Sequence, residues 1–186
     1  MVPQWLLGEV DQYFADIPTS FKPQTILDIG ANVGAFALRA RQFWPDAAII
    51  CCEPMPYNVV ELRKNAPDSQ IISAAIRGFS GVDEIFIGDN FVTGGFVQFG
   101  RQTDKRLLVE CLAADRLPAC DLVKIDTEGC EVEILKTLRL DRAQAVFLEH
   151  HSLSDALEIK SMLGDRFAVR GQDSEAAIGT LVFHRR

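Results

Sequence analysis

Thr25-Ile26-Leu27-Asp28-Ile29-Gly30-Ala31-Asn32-Val33-Gly34, continued by Ala35-Phe36-Ala37-Leu38, is the stretch on which the reading of this chain turns. Ile26, Leu27 and Ile29 form a short apolar run of the kind that fills the middle of a parallel sheet. Gly30 and Gly34 carry no Cβ, so the backbone turns sharply there and lies close to a ligand. The helix that follows aims its free N–H groups and the positive end of its dipole back at the turn. A strand, a glycine turn and a helix start, in that order, commonly hold a nucleotide-like ligand in open α/β sheets.

The glycines do not follow the dinucleotide pattern. A G-x-G-x-x-G loop places its second glycine where the backbone meets a pyrophosphate. Here Gly30 and Gly34 flank Asn32, and Asp28 precedes them. An acid at that place suits a cationic or amine-bearing ligand better than a pyrophosphate. S-adenosylmethionine, with a sulfonium and an amino group, meets the requirement. The plainer alternative is a strand, turn and helix in which Asp28 is solvated or caps. Both features speak against a nicotinamide-dependent oxidoreductase.

Working outward, Ala47 to Cys52 reads as a second buried strand that ends at Glu53, nineteen positions after Gly34. That is the place and spacing at which a carboxylate accepts the two hydroxyls of a ribose. Pro54 and Pro56 stiffen the next turn, and Met55 either lies against an adenine face or fills a gap. Residues 56–66 form a helix with Val59, Val60 and Leu62 inward. Gln70 to Ala75 is a third strand; Ala74 and Ala75 at its end either leave room for an adenine edge or simply pack.

Upstream, Trp5, Leu6, Val10, Tyr13, Phe14 and Ile17 fit an amphipathic helix over 3–17, read as a packing element rather than a cover over the ligand. Pro18 and Pro23 bracket a linker, and the helix after the glycine loop ends before Pro45. From 78 to 117 the chain becomes β-rich. Asp83 to Ile87 alternates, Phe91 to Val97 carries a glycine pair suited to a hairpin or mobile loop, and Leu107 to Cys111 is another strand. This insertion is either an acceptor-binding surface or an extended sheet edge.

Cys120 to Asp126 is strand four, running into Thr127-Glu128-Gly129 and a helix with Val132, Ile134, Leu135 and Leu138. Ligands of open α/β sheets sit at the carboxyl ends of strands, so Asp126 stands near the reacting group, beside Glu128 and Glu131. Acids so placed cap the helix or shape the site; an oxygen-bound divalent cation is the alternative, and no metal is expected. Ala145 to His151 is strand five, with Glu149 and His151 on one face and His150 on the other. A histidine beside a carboxylate is a good general base; otherwise these are ordinary strand-end histidines, one of them capping the next helix. After a helix over 154–163, strands at 167–170 and 178–183 share so short a link that they must be antiparallel.

Composition bounds the rest. A chain of 186 residues, 48% hydrophobic and 24% charged, is expected to be one soluble domain spanning 1–186, with 1–22 as its N-terminal helix and linker. A net charge of −7 argues against a nucleic-acid partner. No apolar run approaches the roughly 20 residues of a membrane span. Met1 to Trp5 lacks the basic start and apolar core of a signal peptide, so a cytoplasmic location is expected. Five cysteines, odd in number and with no C-x-x-C, read as free buried thiols rather than a zinc site or disulfide framework. Oligomeric state is not legible.

Taken together, Leu27-Asp28-Ile29-Gly30-Ala31-Asn32-Val33-Gly34, Glu53-Pro54-Met55-Pro56 with Asn58, Val123-Lys124-Ile125-Asp126-Thr127-Glu128-Gly129-Cys130-Glu131 and Leu148-Glu149 before a histidine resemble the FkbM-type S-adenosylmethionine-dependent methyltransferases. The motifs keep the family's order and spacing across most of 25–151. The resemblance implies a Rossmann-like class I methyltransferase fold: an α/β protein with a seven-stranded, mostly parallel sheet, an antiparallel last strand and helices on both faces. It implies methyl transfer, usually to a hydroxyl of a sugar, glycan or small metabolite. Where the family often carries Thr-Leu-Asp before strand four, this chain has Ala113-Ala114-Asp115. On this reading Asp28, Gly30, Ala31, Asn32, Gly34, Glu53, Pro54, Met55, Ala74, Ala75 and Asp126 hold the cofactor. Asp126, Glu149 and His151 form the catalytic set, with Glu149 or a neighbouring histidine removing the acceptor's proton. The alternative is a non-catalytic S-adenosylmethionine-binding module or partner subunit.

Overall fold

The computed structural model describes residues 2–15, 17–88, 94–96, 102–170 and 178–186. Helix α1 (Gln4–Phe14) leads into β1 (Thr25–Ile29), α2 (Ala35–Phe43), β2 (Ala48–Cys52), α3 (Pro56–Asn65) and β3 (Gln70–Ile72). Four strands follow: β4 (Ala75–Arg77), β5 (Gly81–Gly88), β6 (Gly94–Gly95) and β7 (Gln102–Ala113). The chain closes with β8 (Leu122–Ile125), α4 (Glu131–Leu135), β9 (Ala145–His150), α5 (Leu153–Leu163), β10 (Phe167–Arg170) and β11 (Gly179–Arg185).

Seven strands form the main sheet in the order β10-β11-β9-β8-β1-β2-β3. β11 runs antiparallel to both its neighbours, while β9, β8, β1, β2 and β3 pair in parallel. This is the mostly parallel sheet with an antiparallel last strand that the sequence predicts. Its central strands are apolar except for Asp28 of β1 and Lys124 of β8, because both faces are covered. Ile26 of β1 packs on the α1 and α2 side, with Phe36, Phe147, Tyr13 and Phe14. Leu27 and Ile29 point the other way, into a core shared with α4 and α5. On the first side the rings interlock: Tyr13 stacks on Phe147 at 5.8 Å between centroids and meets Phe36 edge-on at 5.9 Å. α1 is thereby fixed to the sheet by ring contacts.

A second sheet holds the β-rich insertion, in the order β4-β7-β5-β6. β5 and β7 form its antiparallel centre, and β6 adds to β5. The single third strand predicted over Gln70 to Ala75 divides: β3 stays in the main sheet and β4 joins the second one. Two three-residue strands with no glycine or proline between them look like one strand in the sequence. Val60, predicted inward, is exposed; α3 buries Asn58, Val59 and Leu62. α4 is a helix of only five residues, although Leu138 beyond it is buried as expected. Of the predicted hairpin from Phe91 to Val97, Gly94 to Phe96 are described, and the remainder lies outside the described residues. The link from Gly171 to Ala177 also lies outside them, but its flanking strands are antiparallel. All five cysteines are free and buried, and burial pushes the Cys130 thiol up to about 12. Among the described residues no helix is long and apolar enough to cross a membrane.

Candidate active site

The register of three adjacent strands builds the floor of a cleft. Ile29 pairs with Ile125, and Ile125 with Leu148. Gly30, Asp126 and Glu149 therefore leave the carboxyl ends of β1, β8 and β9 side by side, with Asp126 N donating to the Ile29 carbonyl at 3.1 Å. By the two-residue alternation of a strand they continue the rows of Ile26, Leu122 and Phe147, on the face covered by α1. The loop crosses close to strand β8. A Cβ on Gly30, which has φ 76°, would fall 1.7 Å from the Asp126 carbonyl oxygen. Only glycine satisfies both the left-handed backbone and that approach.

The loop is tied to β2 as well. Gly30 N and Ala31 N both donate to the Cys52 carbonyl at 3.0 Å. Asn32 N donates to Glu53 Oε2 at 2.8 Å, and Glu53 Oε1 accepts from Met55 N at 2.9 Å and Asn58 Nδ2 at 3.1 Å. Burial pushes the Glu53 carboxyl up, and these donors work against the shift. Glu53 is thus held in one orientation at the cleft wall before any ligand arrives.

The cleft is open to solvent; with the solvent space at its mouth included, it spans about 870 Å³. Gly30, Asn32, Glu53, Pro54, Met55, Ala74, Ala75, Asp126 and Glu149, all predicted from sequence, line it together. Asp28, Ala31, Gly34 and His151 do not. Asp28 is fully buried, directly opposite Lys124 across β1 and β8, and its carboxylate faces that ammonium at 3.2 Å. Burial raises the Asp28 carboxyl, and Lys124 pulls the other way. The expected contact of Asp28 with a ligand amine is taken here by a residue of the protein. Ala31 contributes its N–H to Cys52, and Gly34 caps α2 with its Cα against Leu62.

Three elements add residues that sequence reasoning missed. Trp5, Leu6 and Glu9 of α1, Ile85 and Phe96 of the β-rich insertion, and Thr127 after β8 all line the cleft, as does Glu128, expected beside Asp126. The signal for α1 was present: Trp5, Glu9 and Tyr13 lie four apart, one stripe of a helix. It descends from the exposed rim at Trp5 to the buried Tyr13. The helix predicted as a packing element both packs and roofs the cleft.

The chemistry concentrates where Asp126, Glu149 and His151 meet. Each offers a ligand-type atom within 4.8 Å of the others, a spacing a metal ion would accept. The same three groups also form a closely interacting set of protonatable side chains. Burial works against charge on His151. The carboxylates of Glu128, 3.2 Å from Nε2, and Glu131, 3.6 Å from Nδ1, nevertheless hold its pKa up at about 11. These partners favour the imidazolium form of His151, whose Nε2 also lies 3.5 Å from Glu149. Burial and the neighbouring Asp126 push Glu149 up to about 9. Asp126, despite its own burial, is held below the usual range by Lys124 and by hydrogen bonding with Glu149. Two adjacent carboxyl groups with proton affinities driven apart are a pattern of acid–base sites. His150 turns to the opposite face, fully buried, with Nδ1 3.2 Å from the Ser152 carbonyl at the start of α5.

The lining carries five carboxyl groups, from Glu9, Glu53, Asp126, Glu128 and Glu149, and no lysine or arginine among the described residues. Such a cleft is unsuited to a pyrophosphate and suited to a cationic nucleoside. Glu53 lies on one wall of the cleft, Met55, Ala74 and Ala75 add an apolar lining, and Asp126, Glu128 and Glu149 make an acidic part of it.

The family model described as the methyltransferase FkbM domain matches residues 28–168. Among curated proteins none matches the chain by sequence. Solved structures do match in fold. The ribosomal protein L11 methylase of Lactobacillus delbrueckii subsp. bulgaricus is 12% identical over 97% of this chain and 77% of its own, with a TM-score of 0.56. The precorrin-6y C5,15-methyltransferase of Geobacter metallireducens is 15% identical over 99% and 89%, at 0.52. The plantazolicin methyltransferase BpumL, solved with a pentazolic desmethylPZN analog and SAH, is 10% identical over 98% and 84%, at 0.54.

Proposed function

This chain belongs to the FkbM methyltransferase family, and from that premise we propose that it moves the methyl group of S-adenosylmethionine onto a hydroxyl oxygen of a sugar, glycan or small metabolite. When bound, the cofactor supplies an electrophilic methyl on a sulfonium. Glu53 would hold its ribose, Met55, Ala74 and Ala75 its adenine, and Asn32, the Gly30 backbone and Asp126 its amino-acid end. The observation that carries the oxygen-transfer reading is the carboxyl pair of Asp126 and Glu149 on the cleft floor.

The two carboxyls take separate tasks. Asp126, kept ionised by Lys124, presents negative charge to the cationic side of the reaction. Glu149 receives the proton of the acceptor hydroxyl as that oxygen forms its bond to carbon. A carboxylate with a pKa of about 9 is a far better match to a hydroxyl than an ordinary one near 4.5. His151 stays protonated and holds Glu149 and Glu128 in place. Orientation of acceptor and donor under α1 supplies much of the remaining rate. Phe96 and Ile85, on the second sheet, form the wall that an acceptor would meet.

The test is transfer of labelled methyl groups to a panel of hydroxylated acceptors, with the rate followed from pH 6 to 10. Label on oxygen, with kcat/KM rising with pH through about 9, is the expected result. Label found on nitrogen or carbon overturns the oxygen assignment. Tight binding of S-adenosylhomocysteine with no transfer to any acceptor would point to a non-catalytic binding module.

A further inference from the structure

Lysine inside a central parallel strand is rare, because removing an ammonium from water is costly unless its donors are satisfied. Lys124 is the third residue of β8 and its side chain is only 4% exposed. Its Nζ lies 2.7 Å from the Gly30 carbonyl oxygen, 3.2 Å from Asp28 Oδ1 and 3.4 Å from Asp126 Oδ2. An ammonium has donors and no acceptor. Here it donates to the Gly30 carbonyl and is ion-paired with the two carboxylates.

We propose that Lys124 is the positioning residue of the cofactor site: its ammonium locks the glycine loop of β1 to the acidic end of β8. The shortest of its contacts is to the neutral loop carbonyl, not to a carboxylate. A lysine present only to neutralise Asp28 has no need of that reach. The Gly30 carbonyl and the Ala31 N–H belong to one peptide unit. Lys124 holds its oxygen, and the Cys52 carbonyl holds its N–H at 3.0 Å. The peptide plane is therefore fixed from both sides. The next N–H along the loop, that of Asn32, is delivered to Glu53 at 2.8 Å. One buried cation thus sets three parts of the cofactor site relative to each other: the loop, Asp126 and, through the loop, Glu53. The inference rests on S-adenosylmethionine as cofactor and is independent of the acceptor.

The experiment pairs thermal melting with calorimetric titration of S-adenosylhomocysteine, on the wild type, Lys124→Met, Asp28→Asn and the double variant. Lys124→Met alone strands buried carboxylates and is expected to lose both stability and binding. Adding Asp28→Asn removes one of those charges, and the melting temperature is expected to recover. Affinity is expected to stay about tenfold or more below wild type, the loss of one charge-assisted hydrogen bond. Asp28→Asn alone is expected to bind clearly more tightly than the double variant. Affinity that returns together with stability reduces Lys124 to a counter-ion and overturns the proposal. Equal weakness in Asp28→Asn and the double variant assigns the loss to Asp28 and also overturns it. A second readout needs no substitution: in ligand-free wild type the Ala31 amide is expected to exchange its hydrogen as slowly as strand amides do. Exchange at loop rates would refute a locked peptide whether or not the variants fold. A wild type that binds no S-adenosylhomocysteine removes the cofactor itself, and the proposal with it.

Discussion

The two sheets of this molecule meet at one cleft and are built on opposite terms. The seven-stranded sheet buries both faces, and its central strands end in residues fixed by several contacts each: Gly30, Glu53, Asp126 and Glu149. The four-stranded sheet buries one face only. Ile85 and Val109 point into a small core with Met55, while Val82 and Leu108 stand 63% and 67% exposed. Its contribution to the cleft is apolar, through Ile85 and Phe96, and Phe96 is steadied by the Arg77 guanidinium 4.1 Å above its ring. On the proposed function the difference is a division of labour: the buried sheet would set the chemistry that every turnover needs, and the half-exposed sheet would shape the side that meets the acceptor.

That division can be broken by substitution, beginning with the largest effect. Gly30→Ala places a Cβ on the Asp126 carbonyl and is expected to weaken S-adenosylhomocysteine binding more than about a hundredfold, measured by calorimetry. Glu149→Gln is expected to lower kcat by about a hundredfold or more while cofactor affinity changes little, and to abolish the rise of rate near pH 9. A profile that keeps that rise would move the proton acceptor elsewhere. Glu53→Ala is expected to cost about tenfold to a hundredfold in cofactor affinity through the lost ribose contact. Phe96→Ala tests the other sheet: acceptor KM is expected to rise roughly fivefold with cofactor affinity unchanged. A fall in cofactor affinity of the same size would erase the distinction between the sheets.

The smallest effect concerns stability. Glu149 and His151 both bind protons more tightly in the fold than in the unfolded chain, so each loses stabilisation as the pH rises. For Glu149 the loss runs from its ordinary 4.5 to about 9, and for His151 from 6.5 to about 11. The melting temperature is expected to fall between pH 7 and 9, and less steeply in Glu149→Gln. An unchanged slope in that variant would show that Glu149 does not hold its proton in the fold.

The same contrast explains what could be read in advance. Strands such as Ala145 to Leu148, and Ile26 to Ile29 but for Asp28, announce themselves, because burial on both faces demands mostly apolar runs. Strand alternation alone was enough to put Glu149 and His151 on one side and His150 on the other. The second sheet was legible as β-rich and no further, since half-buried strands carry weaker patterns and the switch between sheets at Ser73 and Ala74 has no turn residue to mark it. Charge partners were the least legible part. Nothing in the sequence pairs His151 with Glu128 and Glu131, or Asp28 with Lys124; those pairs exist only in the fold. Lys124 itself was in plain view, a lone cation inside the apolar run Leu122 to Ile125, but only the pairing of β1 with β8 tells what it faces.

The stripe on α1 makes the protein its own optical sensor. The chain has two tryptophans, Trp5 on the rim of the cleft and Trp44 in the core, where its indole N–H donates to the Phe21 carbonyl at 3.0 Å. Trp44 is buried and does not line the cleft, whereas Trp5 is 53% exposed and does. With Trp44→Phe, fluorescence would come from the cleft rim alone, and the filling of the site would be followed in real time without any attached dye.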